Sequence, residues 1–273
     1  MQPGIYPDIS NDDYHAGAGI SKTGLWTIHE KSPAHYAYAP RKEETYFTFG
    51  EAGHIAVLEP ETFEKRVIRG PDDRRGNKWK DMQAYAEMEK KLLLTASDYD
   101  AMLIIRDTIH ANPRLNQIIQ SQQSKIEHST YWIDDETKVL CRKRDDLYRP
   151  DLAMILDVKT SASAHPDAFT RSVVNYGYHA QEAFYTDGGI ASGQPVEAFA
   201  FLVVEKTDPF LFALYELPPA IVDEGRAIMR KSLSVYAECE KTGVWPGYPD
   251  DVQELSFQRW AYRLTDAPQE EAA

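Results

Sequence analysis

The sequence predicts a mixed α/β fold: a central β-sheet flanked by helices and preceded by a helical N-terminal region. Three observations predict it. Apolar residues recur at helical spacing through most of the first 120 positions. A β-rich hairpin pattern and a short, wholly apolar run follow, from Ser124 to Val158. Helical and strand-like segments then alternate to the last long amphipathic helix. At 273 residues, 42% of them hydrophobic, the chain is long enough to bury a sizeable core. No internal repeat or low-complexity linker divides it, so it reads as one domain, residues 1–273. Residues 1–120 form the mostly helical part, 121–217 the sheet with its helices, and 218–273 a C-terminal helix and tail.

The first elements are read from caps and breakers. Gly4 to Asp13 is rich in Gly, Pro, Asp and Asn and reads as an irregular arm. Ser21 precedes Leu25, Trp26 and Ile28, a helical stripe, and so reads as an N-cap. That helix start, with Ser21 and Lys22, is either a plain capped surface helix or a phosphate cradle. Phe49 to Leu58 is a second helix, stopped by Pro60, and taken alone its His54 reads as a core histidine. Arg69 to Lys80 is a Gly- and charge-rich mobile loop in which Arg74 and Arg75 accompany Trp79. It is either a solvated loop or a clamp on a nucleic-acid backbone. Helices are expected over Trp79 to Leu94, over Ser97 to His110 with Ser97 as N-cap, and from Pro113 to near Gln120.

The character changes at Ser124. Ser124 to Ile133 and Lys138 to Asp145 read as a hairpin around the turn Asp134 to Thr137. Leu152 to Val158 reads as a central strand buried on both faces. Helices are expected over Pro166 to Asn175 and Tyr178 to Ile190. Val196 to Glu205 and Pro209 to Glu216 form a strand pair, and Pro218 to Cys239 is a long helix. From Pro249 onward the sequence reads as irregular, with an acidic tail.

Composition narrows the function. Acidic residues outnumber basic ones, 43 to 30, which argues against a protein that coats nucleic acid with its whole surface. It leaves room for a nuclease whose cations line a channel. No apolar run reaches bilayer length and no signal-peptide pattern opens the chain, so a cytosolic protein with no membrane partner is expected. Cys141 and Cys239 lack CxxC spacing and read as reduced, inert thiols. The eight histidines form no HxxxH or HExxH pair, which argues against zinc.

The chemistry concentrates between Asp146 and Lys159. Asp157 and Lys159 lie two apart at the end of an apolar run, so on a strand their side chains leave one face, at the edge of a core. With Asp146 brought alongside by a turn, two carboxylates and an ammonium converge, an arrangement that suits a divalent cation and a phosphate. Asp146, Asp157 and the Val158 carbonyl would hold Mg²⁺ or Mn²⁺, two ions per site, with Lys159 orienting water or neutralising charge. Gln181 and Tyr185 share a helical face and can bond the phosphate or the carboxylates, and Glu127 is a further acidic candidate.

The ordered set of segments resembles the PD-(D/E)xK nucleases, and within them the RecE-type and lambda-exonuclease-like phage recombination nucleases. It comprises GIYPDISNDDYH, GISKTGL, FGEAGHIAVLEP, SKIEHSTYW, LCRKRDD, ILDVKT, YHAQEAFYTDG and LSFQRW. The resemblance implies a restriction-endonuclease-like core. It implies His54 as a metal ligand, Asp146 as the motif aspartate, and Asp157 with Lys159 as the D/ExK pair. Gln181, Tyr185 and Glu127 are implied as further site residues. Asp145 stands where the family has a proline, so either Asp145 or Asp146 faces the metal, the family pattern favouring Asp146. The implied activity is 5′→3′ digestion of linear double-stranded DNA, leaving 3′ overhangs for a single-strand annealing protein. The implied assembly is a ring-shaped trimer or tetramer in a bacterial or phage setting. Ser21, Lys22, Arg74 and Arg75 are then the expected contacts to the 5′-phosphate and backbone. The competing readings are a structure-specific or restriction-type endonuclease and a catalytically silent DNA-binding subunit.

Overall fold

The protein is described by a computed structural model over residues 1–40 and 48–255. Its N-terminal part comprises β1 (Gly4–Tyr6), α1 (Asn11–Ala16), α2 (Lys22–Glu30), α3 (Pro33–Tyr38), α4 (Thr48–Leu58) and α5 (Phe63–Arg66). Then follow β2 (Val67–Arg69), α6 (Asn77–Met88), β3 (Leu92–Leu94), α7 (Ala96–Ala111) and α8 (Pro113–Ile119). The second part comprises β4 (Lys125–Ile133), β5 (Leu140–Arg149), β6 (Met154–Ser161), α9 (Pro166–Tyr176) and α10 (Tyr178–Ala191). It ends with β7 (Ala198–Glu205), β8 (Phe212–Tyr215) and α11 (Pro219–Thr242). None of these helices is long and apolar enough to cross a membrane.

The main sheet has six strands in the order β1-β4-β5-β6-β7-β8. Every neighbouring pair is antiparallel except β6 and β7, which run parallel as the α9–α10 crossover between them requires. β6 and β7 are apolar on both faces for a visible reason. Leu156, Val158, Leu202 and Val204 pack under α4 and α7, while Ile155, Phe199, Phe201 and Val203 pack under α9. A third cluster joins Trp132 and Cys141 of the hairpin to α2, α10 and α11. The mixed sheet with flanking helices is thus the fold expected from the sequence.

Several boundaries differ from expectation. The arm is not irregular throughout: Gly4 to Tyr6 pair with Ser129 to Tyr131 and cover the edge of β4, and Ser10 caps α1. The helix expected to run to Leu94 ends at Met88, because Lys90 takes a left-handed backbone (φ 52°) and Leu92–Leu94 pair in parallel with Val67–Arg69. The cap of α7 is Thr95 rather than Ser97, whose amide instead bonds Asp72. The expected Arg69–Lys80 loop is shorter, since Arg69 lies in β2 and Lys78 to Lys80 lie in α6. β5 continues through Asp146 to Arg149, past the expected strand end at Asp145, and the turn at Pro150–Leu152 lies between Asp146 and β6 as expected. The LSFQRW segment is described only as far as Leu255; its tryptophan and the acidic tail lie outside the described residues.

Candidate active site

The site begins where two strands turn over. Between β4 and β5, Ile126 pairs with Leu147 and His128 with Asp145, leaving Glu127 and Asp146 facing each other outside the ladder. Strict alternation would place Ile126 and Trp132 on one face, and likewise Leu147 and Cys141. Instead Ile126 and Leu147 pack with the α4 cluster, while Trp132 and Cys141 pack with α10. Both strands therefore switch faces at Glu127 and Asp146, and Glu127 has a left-handed φ of 55°. For a glutamate this backbone is costly, by about 1–3 kcal/mol, and such strain gathers at functional positions.

The helix α4 brings His54 to the same point. A Cβ on Gly53 would stand 3.1 Å from Thr160 Cγ2, so the glycine permits close approach of α4 to β6. His54 Nε2 then lies 3.0 Å from the Val158 carbonyl. A carbonyl only accepts, so Nε2 donates and Nδ1 faces the acids, 3.7 Å from Glu127 Oε1 and 3.8 Å from Asp146 Oδ1. Burial would depress the imidazole, but Asp146 and Glu127 outweigh it and lift its pKa to about 9. Asp146 is anchored by its other oxygen, which accepts the Val158 amide at 2.7 Å. Burial, partly offset by His54 and Lys159, raises its carboxyl above the usual range.

On β6, Asp157 and Lys159 leave one face, as their spacing predicts, and their charged ends touch. Gln181 Nε2 donates to Asp157 Oδ1 at 2.5 Å. Burial pushes the Asp157 carboxyl up to about 6; Lys159 opposes the rise and Asp146 adds to it. Lys159 lies with its ammonium 4.8 Å from the Tyr178 ring. Burial works against its charge, but Asp157 and Asp146 prevail and keep it an ammonium. The Tyr185 hydroxyl is driven well up, first by burial and then by Tyr14, Asp157, Asp146 and Asp145.

Of the two candidate aspartates, Asp146 joins His54 and Glu127. Asp145 is fully buried and bound through both oxygens to Lys143, at 2.9 and 2.8 Å. Ser21 caps α2 through Gly24, and Lys22 at the same helix start donates to the Tyr176 carbonyl over the Trp26 ring. Burial and then Lys159 lower the Lys22 pKa to about 7, with Asp157 opposing, so Lys22 feels the Asp157–Lys159 pair. Arg74 and Arg75 do not join the cluster. Arg74 bonds Asp98 and stacks on Trp79, and exposed Arg75 bonds Asp73. The sequence reading missed Glu182, buried beside Gln181 with Oε2 lacking a hydrogen-bond partner among the described residues. Burial, then Glu216 and Asp157, raise its carboxyl to about 8. It also missed Lys143 and Arg144, whose only signal was an unusually basic strand.

His54, Glu127 and Asp146 each offer one ligand atom, all within 4.8 Å of one another. One imidazole and two carboxylates make an oxygen-rich set suited to a hard divalent cation. Asp157 stands outside this trio: its Oδ1 accepts from Gln181 and its Oδ2 meets the Lys159 ammonium.

The acid on β5 and the Asp157-x-Lys159 pair on β6 spell the first acid and D/E-x-K of a known motif. Residues 29–256, well over half of the chain, match the family described as a PDDEXK-like domain of unknown function (DUF3799). The chain belongs to this family. PDDEXK-like nucleases in general depend on divalent metals, in keeping with the His54–Glu127–Asp146 cluster. A solved structure from Eubacterium rectale, assigned as an exonuclease, superposes with a TM-score of 0.60. The alignment covers 95% of this chain and 98% of that one at 14% identity, so the likeness is one of fold. A second structure, SSO0001, is 12% identical over 78% of this chain and 85% of its own, with a TM-score of 0.30 that is too low to build on. No curated protein matches the sequence.

Proposed function

We propose that this PDDEXK-like chain is a metal-dependent 5′→3′ exonuclease of the RecE and lambda-exonuclease type, acting on the ends of linear double-stranded DNA. It leaves 3′ overhangs for a single-strand annealing protein, works as a ring-shaped trimer or tetramer, and uses residues 1–273 as one exonuclease domain. The observation that carries the nuclease reading is the meeting of residues from five elements at one point. The metal-ligating trio, the Asp157–Lys159 pair and Gln181 come from α4, β4, β5, β6 and α10.

In this reading His54, Glu127, Asp146, Asp157 and the Val158 carbonyl hold Mg²⁺ or Mn²⁺, two ions per site. Such ions supply Lewis acidity to the phosphate and lower the pKa of water. Lys159 orients the attacking water and places a fixed positive charge where the phosphoryl oxygens gain negative charge. Gln181 fixes the Asp157 carboxylate, and Tyr185 offers its hydroxyl to the phosphate. Ser21 and Lys22, at the start of α2 beside Lys159, bind the terminal 5′-phosphate. Arg74 and Arg75 exchange their exposed acidic partners for the DNA backbone, a change made easy by the small worth of exposed ion pairs.

Digestion of linear duplexes labelled at either end, with closed circular DNA alongside, tests the proposal. It predicts Mg²⁺-dependent release of a 5′ label as mononucleotides and intact circles. Circles cut as fast as linear DNA would favour an endonuclease. Early release of the 3′ label alone would reverse the polarity.

A further inference from the structure

The trio has a neighbour that completes it from behind. Glu127 turns Oε1 toward His54, while Oε2 lies 4.0 Å from Arg144 Nε. Arg144 is buried, and its hydrogen bonds go to neutral acceptors. Ser129 Oγ accepts at 2.9 and 2.8 Å, the Ile9 and Ser10 carbonyls at 2.7 and 3.3 Å, and Asn11 Oδ1 at 3.4 Å. The Tyr14 ring stacks on the guanidinium, 4.4 Å away. Among the described residues, Glu127 is the one carboxylate at ion-pairing distance from it. A guanidinium keeps its full charge when buried and needs a counter-charge, so its field falls on Glu127.

Apart from Ser129, the acceptors share an origin. Ile9, Ser10 and Asn11 lie in the N-terminal arm, with Tyr14 just beyond it on α1, and β1 fastens the arm to β4 at Ser129 to Tyr131. Ser129 itself is the ladder partner of Arg144, two residues beyond Glu127. The arm thus fixes the guanidinium, whose charge stands 4.0 Å from one oxygen of a glutamate with a left-handed backbone.

We propose that Arg144, set by the N-terminal arm, is a positioning residue for Glu127 that leaves Oε1 free for the divalent cation. The inference rests on the metal-site reading above. Its test is Mn²⁺ binding by calorimetry, without DNA, with thermal unfolding measured in parallel. Arg144→Lys keeps the charge but loses the fork. It should raise the Mn²⁺ Kd about 10–100-fold, the usual effect of removing a residue that orients a metal ligand, while the protein still unfolds cooperatively. In a Glu127→Gln background the same change should add nothing, because the two residues act as one unit. A folded Arg144→Lys protein whose Mn²⁺ Kd matches the unmodified one, while Glu127→Gln weakens binding, would overturn the inference and leave the metal site standing. Binding unaffected by Glu127→Gln would overturn both. If Arg144→Lys does not fold, Tyr14→Leu, which strips the arm's ring from the guanidinium, should also weaken Mn²⁺ binding; unchanged affinity there would overturn the inference too.

Discussion

Two aspartate–lysine pairs, each two residues apart on neighbouring strands, face α10 and come to different ends. Lys143 and Asp145 on β5 are sealed, 0% and 1% exposed. The ammonium meets both carboxylate oxygens and sits 5.9 Å from the centre of the Tyr185 ring. Asp157 is equally buried on β6, but its Lys159 partner is 17% exposed; both feel Asp146, and Asp157 feels His54 as well. Spacing alone does not separate a structural pair from a chemical one. What separates them is that the first pair satisfies itself, whereas the second is left with Gln181, a second acid and a path to solvent.

The largest expected effect breaks the second pair. Asp157→Asn and Lys159→Met should each lower nuclease kcat by at least about 10²–10³-fold with cooperative unfolding retained, as loss of a preorganised charge does elsewhere. Lys143→Met should act on stability instead. It leaves Asp145 charged and buried, a loss of about 3–5 kcal/mol in denaturant unfolding. Lys143→Met with Asp145→Leu should recover most of that loss and keep activity per folded molecule. Abolished activity at unchanged stability in Lys143→Met would erase the distinction between the pairs.

A smaller effect comes from a third pair, remote from both. Burial raises the Asp134 carboxyl, but hydrogen bonds from Arg230 and Thr137 outweigh it and hold the pKa down to about 2. A depressed carboxyl stabilises the fold above its ordinary value and loses that contribution as pH falls from about 4 to about 2. Denaturant midpoints at pH 5 and pH 2.5 should therefore converge between the unmodified protein and Asp134→Asn at the lower pH. A gap that persists undiminished would contradict the assignment.

Much of this was legible in the sequence. The apolar run of β6 announced a strand buried twice, and Asp157 with Lys159 announced a shared face at its end. Gln181 was legible because one helical turn separates it from Tyr185. Placing Asp146 with His54 was legible only through the family resemblance and not from local pattern, because it depends on two strands switching faces and on Gly53 admitting α4 to β6. These are long-range events without a local period. The strand β3 was hidden because three leucines fit a helix as well as a strand, and only the backbone at Lys90 decides. The fate of Asp145 was hidden for a related reason: the lysine that neutralises it looked like one more charge on a basic strand.

The nuclease reading is tested most directly by nucleotide release from a linear duplex, with Mg²⁺ and with chelator, for the unmodified protein and for Asp157→Ala. Release that requires Mg²⁺ and disappears in the variant is the predicted result. Full activity in Asp157→Ala, or release undiminished by the chelator, would contradict it.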